Sequence, residues 1–297
     1  MIKGESNLMR ASRCELNNTF YAKIDRTKIL VDLPNKRIKI IDLNAISMQN
    51  LKRIIYFASK QHLSKIICNC DTKSFETFIN AGFNSEGKIN GYFKGNDAFC
   101  MSYFISSDRK VCSNFARKEL LIKECHNVRN TYAHQKNNLG YLIRNATKND
   151  IKEMIDLFST VFLTYPSPIY DEEYLKQTMN DKVLYKVAIY NGKIIGIASA
   201  DMNKENLNAE ITDCATHPSY RGKGILSNII YSLECDLKTK GFLCLYSLSR
   251  SINPSINLVL SKHNYNFAGR LVNNCNICGT FEDMNLWVKN INSTLLT

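Results

Sequence analysis

Residues 209–226 read Ala-Glu-Ile-Thr-Asp-Cys-Ala-Thr-His-Pro-Ser-Tyr-Arg-Gly-Lys-Gly-Ile-Leu, and this stretch decides the fold. Its first part, Ala209–Thr216, is apolar and favours a β-strand. A turn with the sequence Arg-Gly-Lys-Gly follows at 221–224. An amphipathic helix then starts at Ile225, because apolar residues recur there with helical spacing. This order of strand, basic glycine turn and helix is typical of a phosphate-binding loop.

The glycine turn has the chemistry of a pyrophosphate cradle. Gly222 and Gly224 let the main chain approach a ligand without hindrance from a Cβ atom. Successive N–H groups of such a turn point into one concavity, and the helix N-terminus adds partial positive charge. Arg221 and Lys223 supply full charges. A turn that only joins a strand to a helix is the alternative, but the flanking elements and the basic residues favour a pyrophosphate site.

The spacing of this turn differs from that of two better-known phosphate loops. It lacks the third glycine of the dinucleotide fingerprint and the Gly-Lys-Ser/Thr ending of the P-loop. It resembles the coenzyme A loop of the Gcn5-related N-acetyltransferases (GNAT), Gln/Arg-X-X-Gly-X-Gly/Ala, with Ser219 at the Gln/Arg position. The resemblance implies acetyl-CoA as co-substrate. It also implies the α/β (α+β) GNAT fold, a mixed and mostly antiparallel sheet flanked by helices.

Length and composition indicate a globular protein. The 297 residues suit two domains, and 44% of them are hydrophobic. The N-terminal sequence has no apolar run of signal-peptide length, and no stretch approaches the length of a membrane span. Eleven cysteines are scattered through the predicted elements, which favours reduced thiols. We therefore expect a cytoplasmic protein with no membrane partner.

The positive charge is concentrated in the N-terminal half. The net charge is +12; residues 1–140 hold 23 Lys and Arg against 12 Asp and Glu, and residues 141–297 hold 16 against 15. Such an excess is also found in nucleic-acid-binding proteins. The basic residues are dispersed, however, without an Arg-rich run, a zinc finger or an RNA-binding aromatic motif. We expect solvated lysines and no nucleic-acid partner; a contribution to steering an anionic cofactor stays open.

The C-terminal half is predicted to form one complete domain. Prolines exclude regular structure from Tyr165–Tyr170, and Asn191-Gly192 predicts a hairpin. The predicted strands are 141–144, 183–190, 193–201, 208–216, 242–247, 265–272 and 281–288, and the predicted helices are 149–162, 172–179, 225–239 and 254–263. This order, with the glycine turn between the fourth strand and the third helix, resembles that of the GNAT fold.

The N-terminal half repeats part of the pattern. Phe83–Ile89 matches Tyr265–Leu271 position by position, and each follows a predicted helix. The segment before the predicted helix at 48–60 has no Gly-X-Gly, so it cannot form the same cradle. Chance similarity is the alternative. The predicted domains are a degenerate, non-catalytic GNAT half-repeat at 1–110, a helical linker at 111–139 and the catalytic domain at 140–292.

Glu210 is the predicted general base. An amine must lose a proton before it attacks a thioester, because a lysine-type ammonium has a pKa of about 10.4. Glu210 lies on the strand that would flank the thioester, and it matches the glutamate of the Ala-Glu-Ile segment in histone-acetylating GNAT enzymes. A backbone N–H where that strand separates from its neighbour would stabilise charge on the carbonyl oxygen. Strand alternation places Asp213 on the opposite face unless a bulge intervenes.

The usual general acid of the superfamily is missing. GNAT enzymes commonly end their fourth helix with Tyr-X-X-X-Gly-Phe, whereas this chain has Leu260 at the tyrosine position and Asn264 at the glycine position. A thiol has a pKa near 8.5, so the thiolate is a fair leaving group without an acid. Water or a tyrosine such as Tyr246 could supply the proton, and the sequence leaves this open.

A cluster of amides and acids predicts where the amine binds. Asn273, Asn274, Glu282 and Asp283 lie between strands that are predicted to border the acceptor cleft. Carbonyl and carboxylate oxygens accept hydrogen bonds from ammonium groups. Arg250 could hold a carboxylate. Two cysteines in the same segment have zinc-type spacing, but no second Cys or His pair is near, so no metal is predicted.

Several motifs together indicate a resemblance to one family within the superfamily. The chain resembles the β-lysine N-acetyltransferases at Tyr165-Pro-X-Pro-Ile, Ala209-Glu-Ile-Thr-Asp-Cys-Ala-Thr, Asn273-Asn-Cys-Asn-Ile-Cys-Gly, Phe281-Glu-Asp-Met-Asn-X-Trp and Gly91-Tyr-Phe-X-Gly-X-Asp97. Those enzymes convert β-lysine to N6-acetyl-β-lysine, a compatible solute, and are encoded with a lysine 2,3-aminomutase. The resemblance implies this small amine as substrate, a functional link to the aminomutase and a role in osmoprotection. A homodimer stays open.

The predicted site residues combine these observations. Glu210 is the predicted catalytic residue. The predicted acetyl-CoA-binding residues are Ala215, Thr216, Arg221, Gly222, Lys223, Gly224, Ile225, Leu226 and Asn257. The predicted β-lysine-binding residues are Tyr165, Asp213, Arg250, Asn273, Asn274, Glu282 and Asp283.

Two other functions stay open. The acceptor could be another small diamine or a lysine-containing peptide. The chain could instead be a non-catalytic acyl-CoA sensor, which the missing tyrosine would favour. Glu210 argues against a sensor, because binding CoA alone needs no base.

Overall fold

The computed structural model describes the chain from Thr19 to Ile291, except Ala45 and residues 135–138. The N-terminal sequence, four residues of the predicted linker and the last residue of the predicted catalytic domain lie outside the described residues. The chain divides into two compact units. Of the described residues, the first comprises those up to Lys88, Asp97–Ser113 and Leu271–Asp283, and the second comprises Ile89–Asn96, those between Asn114 and Arg270, and those from Met284 to Ile291. The predicted domain boundaries stay a prediction.

The first unit is a sheet with two helices. Its elements are β1 (Thr19–Ile24), β2 (Thr27–Asp32), β3 (Arg37–Ile40), α1 (Met48–Lys60), β4 (Lys65–Cys70), α2 (Thr72–Asn80), β5 (Asn84–Phe93) and β6 (Asn96–Phe104), except that residues 89–96, at the end of β5 and the start of β6, belong to the second unit. Most neighbouring strands are antiparallel, and β3 and β4 are parallel. Apolar side chains recur every three or four residues along α1, so the helix buries one face against the sheet. Those buried residues are Leu51, Ile54 and Ala58.

The second unit contains the glycine turn. Its elements are α3 (Phe115–Asn127), β7 (Leu142–Asn145), α4 (Ile151–Val161), α5 (Glu172–Asp181), β8 (Val183–Tyr190), β9 (Lys193–Asn203), β10 (Asn208–Thr216), α6 (Ile225–Thr239), β11 (Cys244–Arg250), α7 (Pro254–Lys262), β12 (Asn266–Ile277) and β13 (Thr280–Asn290), except that residues 271–283 of the last two strands belong to the first unit. The strand order is β12-β13-β11-β10-β9-β8-β7. β10 and β11 pair in parallel, whereas β13 with β11, β10 with β9, β9 with β8 and β8 with β7 pair antiparallel. The predicted mixed, mostly antiparallel sheet flanked by helices is confirmed.

Helices cover both faces of the second unit's sheet. Ala198 packs in a cluster with α6, whereas its neighbour Ile197 packs in another cluster with α4 and α5. Successive strand side chains point to opposite faces, which explains the division. The predicted linker contains α3, whose Leu121 and Ile122 join the α6 cluster. Among the described residues, no helix is both long and apolar enough to span a membrane.

The two units share one order of elements. Three strands, a helix, a strand, a helix and two strands form β1 to β6 with α1 and α2, and the same succession runs from β8 to β13 with α6 and α7. In each, the third strand pairs in parallel with the fourth over three residues. A half-repeat requires this order, and the common origin of the two halves stays a prediction.

The last two strands are longer than the sequence predicted. Strands were expected at 265–272 and 281–288, with the amide cluster between them. Instead β12 extends to Ile277 and β13 begins at Thr280, so only Cys278 and Gly279 form the turn. Both have positive φ, of 53° and 81°. Such a two-residue turn joins antiparallel strands directly, and the asparagines therefore lie within a strand.

Candidate active site

Both glycines of the turn have a backbone conformation that favours glycine. Gly222 and Gly224 have φ of 76° and 72°, in the left-handed region that L-residues rarely adopt. A Cβ atom added to either would meet no protein atom within 4 Å, so open space lies above both. Gly224 is the N-cap of α6 and no side chain caps that end. The first N–H groups of α6 are therefore available to an anion.

The corresponding helix of the first unit differs at this point. α1 has Ser47 as its N-cap, and the Ser47 side chain accepts from the Asn50 N–H at 3.2 Å. In the turn before α6, Arg221 and Lys223 are exposed, and Lys223 Nζ lies 5.3 Å from the centre of the Tyr220 ring. Two positive charges and an uncapped helix therefore coincide before α6, and this set of groups fits a pyrophosphate.

Gly196 of β9 holds α6 close to the sheet. A Cβ atom at Gly196 would lie 2.8 Å from Ile225 Cγ2 and 3.0 Å from Ile229 Cδ1. Both distances are below ordinary van der Waals contact. Gly196 was not identified as important from the sequence, although a glycine inside a strand often marks the close approach of another element. Gly196 positions the helix whose N-terminus belongs to the predicted cradle.

We expect Gly196→Ala to destabilise the protein by about 1–3 kcal/mol, because α6 must shift to admit the methyl group. Chemical denaturation measures this loss. CoA affinity should also fall, since the shift moves the cradle. Adding Ile229→Val removes one of the two contacting methyl groups and should recover part of both losses. Unchanged stability of Gly196→Ala would contradict this role.

Glu210 lies where two strands separate. The parallel register joins Asn208–Glu210 to Cys244–Tyr246, and beyond it Ser247 Oγ donates a hydrogen bond to the Ile211 carbonyl at 2.7 Å. β10 therefore leaves β11 directly after the predicted base. This is the separation from a neighbouring strand that the sequence led us to expect.

Two polar groups flank Glu210 on the sheet. Asp201 of β9 and Tyr246 of β11 lie directly opposite it. Burial, Tyr92 and the two carboxylates raise the pKa of Tyr246 well above its usual value. A phenol with a raised pKa is a weaker proton donor, so the structure does not favour Tyr246 as the general acid. At the usual tyrosine position, Leu260 is fully buried.

A bulge interrupts β10 close to the predicted base. Thr212 pairs with Ser199 and Ala215 pairs with Ile197, so two residues of β10 lie opposite one residue of β9. The first of the two, Asp213, has φ of 49°. The bulge shifts by one residue the alternation of side chains between the two faces of the sheet, so Thr212 and Ala215 point to the same face.

The bulge brings Asp213 to the face that carries Glu210. Asp213 Oδ2 accepts from Ser199 Oγ at 2.7 Å, and the carboxylate also accepts from the phenols of Tyr165 and Tyr185. Burial raises the pKa of Asp213, and the three hydrogen bonds oppose that rise. The sequence placed the two carboxylates on opposite faces unless a bulge intervened, and the bulge is present.

Asn257 is occupied by protein groups. Its side chain is fully buried, and Oδ1 accepts from Ser249, Asn285 and Trp287 at 2.8–2.9 Å. Its Nδ2 donates to the carbonyls of Arg250 and Asn253. These bonds order the start of α7. Direct contact between Asn257 and CoA stays a prediction, as do the predicted contacts of Ala215, Thr216, Ile225, Leu226 and Arg250.

The remaining predicted residues belong to the first unit. Asn273 N–H donates to Asp283 Oδ1 at 2.7 Å, and the Asn274 carbonyl accepts from Arg37 at 2.8 Å. Asp283 also accepts from the Cys112 thiol at 2.9 Å. Asn273 and Asp283 are thus hydrogen-bonded to each other, and Asn274 is hydrogen-bonded to Arg37. Their contact with an amine, and that of Glu282, stays a prediction.

The two cysteines with zinc-type spacing have different surroundings. Cys275 is buried and its Sγ lies 3.7 Å from Arg37, which donates to it, whereas Cys278 is exposed in the turn. Within the described residues, no three His, Cys, Asp or Glu side chains gather in a way that could hold a metal ion.

Similarity to known proteins identifies the family. Residues 151–258, which include Glu210, the bulge and the glycine turn, match the Acetyltransferase (GNAT) family. A β-lysine N6-acetyltransferase of Methanosarcina mazei is 36% identical over 78% of this chain and 93% of its own length. The chain belongs to the β-lysine N-acetyltransferase family. It is an N-acetyltransferase with the GNAT fold.

Two further relatives align over most of the chain. A β-lysine N6-acetyltransferase of Methanococcus maripaludis is 32% identical, and the N-acetyltransferase YodP of Bacillus subtilis is 30% identical. Each alignment covers 86% of this chain and 93% of the relative. The similarity therefore extends into the first unit, beyond the residues that match the GNAT family. GNAT enzymes use acetyl-CoA, which agrees with the chemistry of the glycine turn.

Proposed function

We propose that this N-acetyltransferase transfers the acetyl group of acetyl-CoA to the terminal amine of β-lysine and forms N6-acetyl-β-lysine. The names of the two archaeal relatives support the substrate. The observation that carries the chemistry is the position of Glu210. It lies at the last pair between β10 and β11, on the strand that leads into the glycine turn.

The glycine turn would hold the pyrophosphate of the co-substrate. The N–H groups from Gly222 to the first turn of α6 would donate to the phosphate oxygens, and Arg221 and Lys223 would neutralise their charge. Acetyl-CoA supplies an activated acetyl group when it is bound. The main chain at the bulge of β10 would donate a hydrogen bond to the acetyl oxygen as that oxygen gains negative charge.

Glu210 would accept the proton that the attacking ammonium must lose. The amine nitrogen then forms a bond to the acetyl carbon and loses its second proton to water, the carbon–sulfur bond breaks, and the thiolate leaves with the electron pair. Water is the proposed proton source for the thiolate, because Leu260 replaces the usual tyrosine and Tyr246 is a weak acid here. The thiolate is stable enough near neutral pH to leave before it is protonated.

Charge complementarity supports a small cationic acceptor. β-Lysine carries two ammonium groups and one carboxylate. Asp201 and Glu210 are opposite each other on one sheet face, and we propose that they attract the ammonium groups while Arg250 holds the carboxylate. Acetylation removes one positive charge and leaves a zwitterion without net charge. Such a product suits accumulation as a compatible solute, and a lysine 2,3-aminomutase would supply its precursor.

Thiol release from acetyl-CoA tests this function directly. β-Lysine, α-lysine, ornithine and a lysine-containing peptide should be compared at equal concentration. We expect kcat/KM for β-lysine to exceed that for α-lysine by roughly tenfold or more, because a site that pairs polar groups rejects an acceptor that misplaces them. A higher value for another diamine or for the peptide would contradict the proposed acceptor. CoA binding without turnover of any amine would instead support an acyl-CoA sensor.

A further inference from the structure

Asp213 occupies an unusual place for a carboxylate. It is 7% exposed and lies inside a strand with a left-handed φ of 49°. Residues other than glycine rarely adopt this conformation, and such positions persist only where surrounding contacts hold them. The bulge lies three residues beyond Glu210 and just past the point where β10 leaves β11. The contacts that maintain it therefore act next to the site of reaction.

Three hydroxyl groups from three elements converge on Asp213. Ser199 comes from β9, Tyr185 from β8, and Tyr165 from the segment between α4 and α5. Tyr165 holds the residue twice, because its oxygen accepts from the Asp213 N–H at 3.2 Å and its O–H donates to the Asp213 carboxylate. Both the main chain and the side chain of the bulge are thus held by one phenol.

This environment does not suit a ligand for an ammonium group. The carboxylate is almost completely buried, and three protein donors already occupy most of its acceptor positions. A substrate ammonium would have to displace at least one of these hydroxyl groups. The same contacts are well suited to keep the bulge in one conformation.

We propose that Asp213 is a positioning residue that, with Tyr165, Tyr185 and Ser199, fixes the bulge of β10 and so aligns its main chain with the acetyl oxygen. This proposal rests on the proposed acetyl transfer. It replaces a direct contact between Asp213 and the amine. It also assigns Tyr165 a role in joining the α4–α5 segment to the bulge.

Asp213→Asn and Tyr165→Phe test this role in the full-length protein. An asparagine replaces one carboxylate oxygen with an NH2 group that cannot accept, so at least one hydroxyl must turn away or change from donor to acceptor, and Phe removes the phenol oxygen. We expect kcat to fall by about 10- to 100-fold, less than the loss of a whole oxyanion donor, while KM for β-lysine changes by less than about threefold. CoA affinity, measured by calorimetry, should stay within about threefold of wild type.

Hydrogen exchange without ligands gives a second readout that is independent of turnover. Peptides that cover 211–216 and 163–170 should exchange faster in both variants, whereas peptides from α6 should not. Tyr174→Phe is the matched control for the 211–216 peptide, because Tyr174 bonds to Ser167 and not to Asp213. If Asp213→Asn does not fold, Tyr185→Phe takes its place.

Either of two results would overturn the proposal. The first is unchanged exchange at the bulge, whatever the kinetics. The second is a KM for the amine that rises more than tenfold with kcat unchanged, which would make Asp213 a ligand of the substrate. If wild type acetylates no amine, the proposed function fails, and the exchange data still decide whether Asp213 holds the bulge.

Discussion

Gly222→Val is expected to abolish CoA binding and to leave the protein folded. The valine side chain would project into the open space above the turn, where no protein atom lies within 4 Å and where the pyrophosphate is proposed to bind. The φ of 76° at position 222 is unfavourable for valine, so the turn must also change its backbone conformation. Calorimetry with CoA should show affinity at least about 100-fold weaker, because several charge-assisted hydrogen bonds are lost together.

Gly241→Val provides the matched control for this change. Gly241 follows the other end of α6, has φ of 79°, and also has no atom within 4 Å of an added Cβ. Both variants should lose comparable stability from backbone strain, of about 1–2 kcal/mol. Only Gly222→Val should lose CoA binding. Normal affinity in Gly222→Val would show that the turn is not the pyrophosphate site.

Glu210→Gln is expected to lower kcat by about 10²- to 10⁴-fold, the usual contribution of a general base. Glutamine has a similar shape but cannot accept a proton, so CoA affinity should stay unchanged. Rates with saturating acetyl-CoA and amine measure the loss. Glu205→Gln, an exposed residue of the turn before β10, is the control and should keep wild-type activity. Wild-type kcat in Glu210→Gln would show that another group removes the proton.

The pH dependence of Glu210→Gln gives a second test. Without the base, reaction requires an amine that is already neutral. Below the ammonium pKa of about 10.4, the neutral fraction rises tenfold for each pH unit. The activity of the variant should therefore rise steeply from pH 7 to pH 9, and that of wild type should rise less. Parallel profiles for the two proteins would contradict the assignment of Glu210 as base.

Features that depend on neighbours in sequence were predictable. Gly222 and Gly224 have the positive φ that their turn requires, and α6 begins at Ile225 as the apolar spacing indicated. Helix bounds near 48–60 and 254–262 also agree with the prediction. Such features are set by the local conformational preferences and hydrophobic period of a few consecutive residues.

Features that depend on distant partners were not predictable. The bulge in β10 arises from pairing with β9, and a sequence of alternating residues does not reveal a register shift. Asn257 is held by Asn285 and Trp287, which follow about thirty positions later along the chain. The amide cluster was expected between strands, yet the two-residue turn at Cys278 extends β12 through it.

The sequence by itself determined the conformation of the glycine turn, the order of elements and the family. These follow from short motifs whose geometry is local. Only the tertiary structure decided that Asp213 shares a face with Glu210 and that Gly196 brings α6 against β9. Both features depend on contacts over a few ångströms between residues of different elements. Such contacts form only when strands pair and helices pack in the folded chain.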